Sequence, residues 1–483
     1  MHPYQRLTLL LASAAIALPA LPRAETLPWL DDPFGGQEKI ATYGKKLRPA
    51  NCPDIPEKKT NFTLNDVVII ALCHNPDTKS AYLSLMSSAD SYVSNFSAYL
   101  PEITATGSRT RSGSFSRHSK TSGLSGGTGV SAGITLYDFG QREFKIEAAE
   151  KTLIAAGLGY DNTLQGAIAS AISGYYSLLT AQNAVDVAKE SDTFARESYE
   201  AAELKHKLGL VPLTEALQAK VSYSQSQLAV ERAQNALAIS RAALAQQMGL
   251  GVDRMVAVSE IDDSNLMQDP FDSKIKDLIA RAKEKRVDLA ASRASLEGAK
   301  TSLKATKRSN WATIGASASS DFDDAKVFNR GTTRSQSIGV SVSIPIFTGF
   351  SQTYSTRIAE RDIVAQEESL RSAELGVEKD VWDAWHNYDN AKRSWEISWD
   401  ELANATLLRD TVLGRYKEGL GTILEVLQAQ SSYSAALNSH LQTRLSLLTS
   451  RVDLIRAVGE LNLETMEPAP STPASTPASP MID

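Results

Sequence analysis

Six histidines are scattered along the chain, and none stands at metal-ligand spacing from another histidine or from Cys52 or Cys73. No nucleophile elbow, phosphate loop or nucleotide fingerprint occurs. The groups left for chemistry are hydroxyls and carboxylates beside two glycine turns. Thr214 and Glu215 follow Gly209-Leu210, Glu425 follows Gly419-Leu420, and Tyr416 stands just before the second turn. A carboxylate in the first turn of a helix is favoured by the helix dipole, so solvated helix starts are the plain reading of Glu215 and Glu425. His206, near the first turn, is open to a pH-sensing role or to that of a solvated helix-end residue. Nothing here makes or breaks a covalent bond. The chain is expected to be no enzyme, with no cofactor and no metal, and any energy must come from a partner.

The elements that carry these groups are written twice. Gly129-Val130-Ser131 returns as Gly339-Val340-Ser341, and Gly209-Leu210 returns as Gly419-Leu420, both 210 residues later. Glu215, Leu217, Gln218, Ala219, Ser222, Tyr223 and Ser224 correspond to Glu425, Leu427, Gln428, Ala429, Ser432, Tyr433 and Ser434. At the front of each half Asp77 and Ile103 correspond to Asp288 and Ile314, at a shift of 211. A unit this long is a duplicated half-protein and not a solenoid repeat.

Each half, 63–265 and 266–463, reads as one order of elements. A helix is expected over 64–99 and again over 274–309, with Pro101 marking the first exit. Strands follow at 102–112 and 127–137, and at 312–321 and 335–344. Long helices come next at 141–207 and 351–417, each on the order of 100 Å at roughly 1.5 Å per residue. Return helices run over 212–248 and 422–463. On the last one Tyr433, Leu437, Leu441, Leu445, Leu448, Val452 and Ile455 recur at three- and four-residue steps, a coiled-coil seam. The fold class expected is therefore mainly α with β, long helical hairpins on a few strands.

The 483 residues carry a net charge of −6, too acidic for nucleic acid to be the main partner. Residues 1–24 have the layout of a cleaved secretory signal, with a short apolar run ending in small residues. An extended segment over 25–62 follows. It holds Cys52, and Cys73 lies just beyond it; in an oxidising compartment the two could pair or stay as thiols, since spacing does not settle geometry. Residues 464–483 are rich in Pro, Ser, Thr and Ala and read as a disordered tail. No later stretch offers the roughly 18 apolar residues of a spanning helix, so a membrane location requires strands.

The strands suit one. Ile338, Val340, Val342, Ile344 and Ile346 alternate with Ser337, Gly339, Ser341 and Ser343, and Val130, Ala132, Ile134 and Leu136 alternate with Ser131, Gly133 and Thr135. This period of two gives one face for lipid and one for water. Tyr99, Tyr137, Phe139, Trp311, Phe347 and Phe350 gather where strands meet helices, either as an interface girdle or as cover for a sheet corner. Arg109, Arg111, Arg117 and Lys120 make the first strand loop basic, fit for anionic headgroups or plain solvation. Trp382, Trp385, Trp395 and Trp399 stand at helical steps, open to packing or to lumen contact. Four strands cannot close a barrel, and an open edge in hydrocarbon leaves backbone groups unsatisfied. Several copies must share one barrel: two would fill the interior with side chains, and three would leave a channel.

The junctions Leu136-Tyr137-Asp138-Phe139-Gly140 and Pro345-Ile346-Phe347-Thr348-Gly349, with the turns Gly209-Leu210-Val211-Pro212-Leu213-Thr214-Glu215 and Tyr416-Lys417-Glu418-Gly419-Leu420-Gly421-Thr422-Ile423-Leu424-Glu425, resemble those of the TolC family of outer-membrane efflux and secretion proteins. The resemblance covers about 63–463. It implies a homotrimer with a twelve-stranded barrel in outer-membrane lipid and a helical tube in the periplasm. A periplasmic adaptor (membrane fusion protein) would dock at the tip, here Gly209, Leu210, Leu213, Gly419, Leu420 and Ile423, and an inner-membrane ABC exporter or drug pump would supply energy. By position Tyr416 would face Thr214 and Glu215 in a hydrogen-bonded latch, and Glu425 would set one carboxylate per protomer at the mouth, where a ring of like charges attracts cations. The chain departs from the pattern at Gly421, where the prototype has an Arg latch, and at Gln428, where it has a second acidic ring. Within the family the chain is similar to type I secretion components, such as those exporting adenylate cyclase toxin or haemolysin; drug efflux is the alternative. A soluble periplasmic coiled-coil adaptor or scaffold is the alternative from another class, and the alternating strands argue against it.

Overall fold

The computed structural model describes residue 52 and residues 61–116, 119–259, 274–325 and 333–461. The expected leader over 1–24, the tail over 464–483 and Arg117 lie outside the described residues. Cys52 and Cys73 are joined as a disulfide, which ties the chain ahead of the first half to its first helix.

The first half begins with a two-residue strand β1 (Asn61–Phe62) and two helices, α1 (Leu64–His74) and α2 (Pro76–Ser94), followed by a 3-10 turn over Asn95–Tyr99. One helix was expected across this span. The break falls at Asn75, whose side chain caps the second helix by accepting from the Asp77 amide at 2.7 Å, with Pro76 at the first helical position. β2 (Glu102–Ser116) and β3 (Ser119–Tyr137) form a hairpin, and α3 (Gln141–Lys207) and α4 (Leu213–Gln247) form a long helical one. Beyond a short β4 (Ala257–Val258), which pairs in parallel with β1, the scheme repeats.

The second half has α5 (Ile275–Lys285), α6 (Val287–Arg308), β5 (Thr313–Ala325), β6 (Thr333–Ser343), α7 (Ser351–Lys417) and α8 (Ile423–Val458). Here too one expected helix is two. The break is at Arg286, whose guanidinium bonds Asp288 at 2.6 Å and Asp380 of α7 at 2.8 Å. The clasp at this break is thus local through Asp288 and tertiary through Asp380. The strands run past the expected limits of 112 and 321, and β3 starts ahead of 127, because the hydrogen-bonded ladder continues beyond the apolar alternation into Gly, Ser and charged residues.

β2, β3, β5 and β6 lie in that order in one antiparallel sheet, with β3 and β5 joining the two halves. Among the described residues β2 and β6 each have one free edge. The register makes the two faces explicit. Thr106, Gly129, Asp321 and Ser335 share one row, and Ser108, Gly127, Asp323 and Thr333 share the next. On the opposite face Ile103, Ala132, Ala318 and Ile338 share a row, flanked by Ile134, Ala316 and Val340. Ile338 is 89% exposed and Val340 69%, so among the described residues nothing covers this face at β6. A β-bulge between Thr135 and Tyr137 sets Tyr137, in place of Leu136, opposite Ile314.

The main core lies where α1 and α2 pack on the upper part of α3, around Leu85, Leu164, Ile168, Tyr175 and Leu178. A second cluster joins α5, α7 and α8 through Leu278, Val381, Trp395 and Leu454. Trp395 is thereby a packing residue, whereas Trp382 and Trp399 are half exposed. A third cluster binds all four long helices at their far end.

Candidate functional site

That far end holds the two glycine turns. α3 closes on Gly209 with φ +74° and α7 on Gly419 with φ +75°. In each, two amides turn back: Gly209 N–H bonds His206 O and Leu210 N–H bonds Lys205 O, both at 2.9 Å. Gly419 N–H bonds Tyr416 O at 3.1 Å and Leu420 N–H bonds Arg415 O at 2.8 Å. This is the glycine stop of a helix, and a Cβ would be strained at either φ. Val412, Ile423, Val426 and Ala429 pack with Ala202 and Ala219, which holds the two turns together at one end of the rods.

The predicted tip residues fall into two groups. Leu210, Leu213 and Leu420 are exposed by 70%, 54% and 72%, so they present apolar area to a partner. Ile423 is 1% exposed and belongs to the core, unlike its counterpart Leu213; as a docking residue it is corrected to a packing one. The two helix starts also differ in capping. Thr422 Oγ1 accepts from the Glu425 amide at 3.3 Å and starts α8, while α4 starts after Pro212, which has no side-chain cap.

The hydroxyl of Tyr416 is buried and has no hydrogen-bond partner among the described residues, Thr214 and Glu215 included. Its ring instead packs on the third cluster and lies under the Lys205 ammonium, 4.1 Å from the ring centre. A Cβ at Gly421 would sit 3.3 Å from Glu425 Oε2 and 3.5 Å from the Tyr416 amide nitrogen, so the missing Arg leaves room that this carboxylate uses. With the hydroxyl unbonded, Tyr416→Phe alone is expected to leave single-channel conductance in planar bilayers within about twofold of the parent. Combined with Glu215→Ala, a rise in conductance would mark the latch, and an unchanged value would remove it.

At the other end of the rods the strands turn into helices through backbone of positive φ: Phe139 (56°) and Gly140 (87°) before α3, Gly349 (63°) and Phe350 (63°) before α7. Arg142, which sequence reasoning passed over, fastens the first junction. Its Nε donates to Asp138 Oδ2 at 3.0 Å, its Nη1 donates to Ala98 O and Thr135 O at 2.9 Å, and its guanidinium covers the Tyr99 ring at 4.3 Å. The matching position, Gln352, donates to Thr306 O at 2.6 Å and accepts from Ser309 at 3.1 Å. The signal was the 210-residue offset, which pairs Asp138 and Arg142 with Thr348 and Gln352.

The aromatics gather around these junctions. Tyr137, Phe139 and Trp311 form a chain of rings with centres 4.7 and 5.6 Å apart, and Arg308 lies 4.0 Å over Trp311. Phe347 and Phe350 form a second pair at 5.4 Å. Tyr137, Phe347 and Phe350 are more than half exposed and Trp311 nearly so, as residues meeting a bilayer interface would be. Among the described residues no group of His, Cys, Asp and Glu is placed to hold a metal, and no helix is long and apolar enough to cross a membrane.

A duplicated fold of strand hairpins with one bare apolar face, set on helical hairpins of 67-residue rods, defines a conduit between a membrane and a distant tip. The chain belongs to the Outer membrane efflux protein family, whose pattern matches residues 67–250 and 278–460. Protein CyaE of Bordetella pertussis is 26% identical over 426 residues, 87% of this chain and 88% of that protein. Outer membrane efflux protein BepC of Brucella suis is 23% identical, covering 84% of this chain and 87% of that one. Among solved structures the Campylobacter jejuni CmeC outer membrane channel superposes with a TM-score of 0.71 at 18% identity, over 86% of this chain and 95% of its own. The protein is thus an outer-membrane channel of the TolC family reaching into the periplasm, a transport conduit and not an enzyme.

Proposed function

We propose that three copies close one twelve-stranded barrel and that the resulting duct carries a polypeptide out of the cell in type I secretion. The free edges of β2 and β6 carry the trimer: in lipid their backbone groups find partners only on sister chains. Two helix faces support it. On α4 the exposed Leu217, Val221, Leu228 and Ile239 follow one another at steps of about one, two and three turns, and on α7 Leu375, Trp382, Ile397 and Leu408 follow at about two, four and three turns. Neighbouring copies would bury both stripes.

The secretion reading rests on the alignment with Protein CyaE, which covers 87% of this chain and 88% of that protein, and on the similarity of the chain to type I secretion components. A tip without an arginine latch, closed by a tyrosine with a free hydroxyl, also suits a duct that must widen for a chain. An adaptor would dock on Gly209, Leu210, Leu213, Gly419 and Leu420, an ATP-driven exporter would supply energy, and Glu425 would ring the mouth. Deleting the gene is expected to abolish release of at least one large protein into the medium, while drug susceptibilities stay within twofold. A fourfold or greater loss of drug tolerance with an unchanged secretome would instead assign the duct to small-molecule efflux.

A further inference from the structure

The outward face of the sheet does not stay apolar. Beyond Ile103, Ala105 and Gly107 the next residues of β2 on that face are Arg109 and Arg111; beyond Ile338 and Gln336 the next of β6 is Arg334. All three guanidiniums are exposed. Arg334 stands opposite Phe322 in register and lies 5.1 Å over its ring, which fixes it on the lipid side.

Asp321 and Asp323 cannot neutralise this patch, because the period of two sends them through the wall. Asp321 and Asp323 flank Phe322 in sequence and so face the lumen. There the Asp321 carboxylate, which accepts from Ser319 at 3.0 Å, fills the place where a side chain on Gly129 would be, and Asp323 Oδ1 lies 2.7 Å from where a Gly127 Cβ would stand. Asp324 holds a register position on the outer face opposite Gly126, two strand spacings, about 10 Å, from Arg109. At this height the sheet thus has acid on the lumen side and an excess of base on the lipid side.

Height says what meets the base. From Ser343, where β6 ends, to Arg334 is nine residues, about 30 Å of strand, or roughly 23 Å of height at a strand tilt near 40°. That puts Arg334 at the edge of an apolar band ~25 Å tall, and the long helices put this end on the outer side. We propose that Arg109, Arg111 and Arg334 bind the phosphates of outer-leaflet lipid headgroups. The proposal rests on the trimeric barrel in one respect: joining β6 of one copy to β2 of the next brings Arg334 beside the neighbour's Arg109 and Arg111, giving one three-guanidinium cradle at each seam. Guanidinium forks bond phosphate oxygens with charge-assisted hydrogen bonds, and the apolar strand face below takes the acyl chains.

The test uses the full-length protein in detergent, with lipid retention counted per chain by native mass spectrometry. The probes are bis-phosphorylated lipid A, the same glycolipid stripped of phosphate, and inorganic phosphate. Intact lipid A is expected to be retained, and R109Q/R111Q/R334Q to bind it about a hundredfold more weakly, each guanidinium near the surface contributing about a factor of five. Removing the phosphates should cause a similar loss, and millimolar inorganic phosphate should not compete. Equal retention of the stripped glycolipid, unchanged binding by the triple variant, or displacement by inorganic phosphate would each overturn the proposal. Trimer formation is read separately on unheated gels, so a wild-type chain that runs as a monomer counts against the closed barrel while phosphate dependence per chain still decides this question.

Discussion

Val340→Arg is expected to abolish the heat-modifiable trimer and all channel activity, whereas Gly339→Arg, one residue away, leaves the trimer intact. Val340 shares the outward face with Ile134 and Ala316 and stands 69% exposed in the middle of the apolar run. A cation there faces the hydrocarbon, at roughly 2–4 kcal/mol per copy for a barrel's lipid face at mid-depth. Three copies would triple that, comparable to the whole stability of a typical domain. Gly339 points the other way, opposite Ser317, and a Cβ on it meets nothing within 4 Å. Its side chain would enter the water of the lumen and change only the ion preference. Semi-native gels of membranes, with and without heating, read both outcomes. A stable Val340→Arg trimer, or a Gly339→Arg chain that fails to assemble, would mean that the faces are assigned the wrong way round.

The same period of two explains why the strands were legible in the sequence and their ends were not. Ile338, Val340 and Val342 announce a half-lipid strand because the bilayer demands alternation. Past Gln336 no such demand acts, yet β5 and β6 remain hydrogen-bonded as far as Asp323 and Thr333. The glycine turns were legible for a related reason. A helix stop needs a left-handed residue, and Gly209 and Gly419 supply one at matching places. The helix break at Asn75-Pro76 carried a readable cap, whereas the guanidinium at the Arg286 break joins Asp288, two residues on, to Asp380, 94 residues away, a pairing only the fold reveals.

The tip shows the limit most clearly. Ala202, Ala219 and Val412 pack together and Tyr416 lies against them, but bringing the two turns to one end did not specify what the tyrosine meets. Lys205, not a carboxylate, takes the face of the Tyr416 ring. A lysine one turn before a glycine stop looks like an ordinary helix-end cation, favoured by the dipole, and only packing reveals its second contact.

Arg142→Ala is expected to lower the stability of the assembled protein by about 3–5 kcal/mol, while Gln352→Ala, at the matching junction, costs about 1 kcal/mol. The asymmetry comes from charge. Arg142 and Asp138 are each about nine-tenths buried, their side chains only 11% and 8% exposed, so truncation leaves the carboxylate without its cation, though the amide of residue 142 still donates to it. It also frees the Ala98 and Thr135 carbonyls at the point where the chain passes through Phe139 and Gly140 in left-handed backbone. Gln352 is neutral, and its loss removes hydrogen bonds that water can replace. Asp138→Asn/Arg142→Gln separates the two components: it removes the ion pair but retains donors and acceptors, and should recover most of the loss. The temperature at which trimers convert to monomers on gels gives the order, parent first, then Gln352→Ala, the double variant, and Arg142→Ala last. If Arg142→Ala melts with Gln352→Ala, the clasp contributes no more than its neutral twin, and the first junction is held by its aromatic cluster instead.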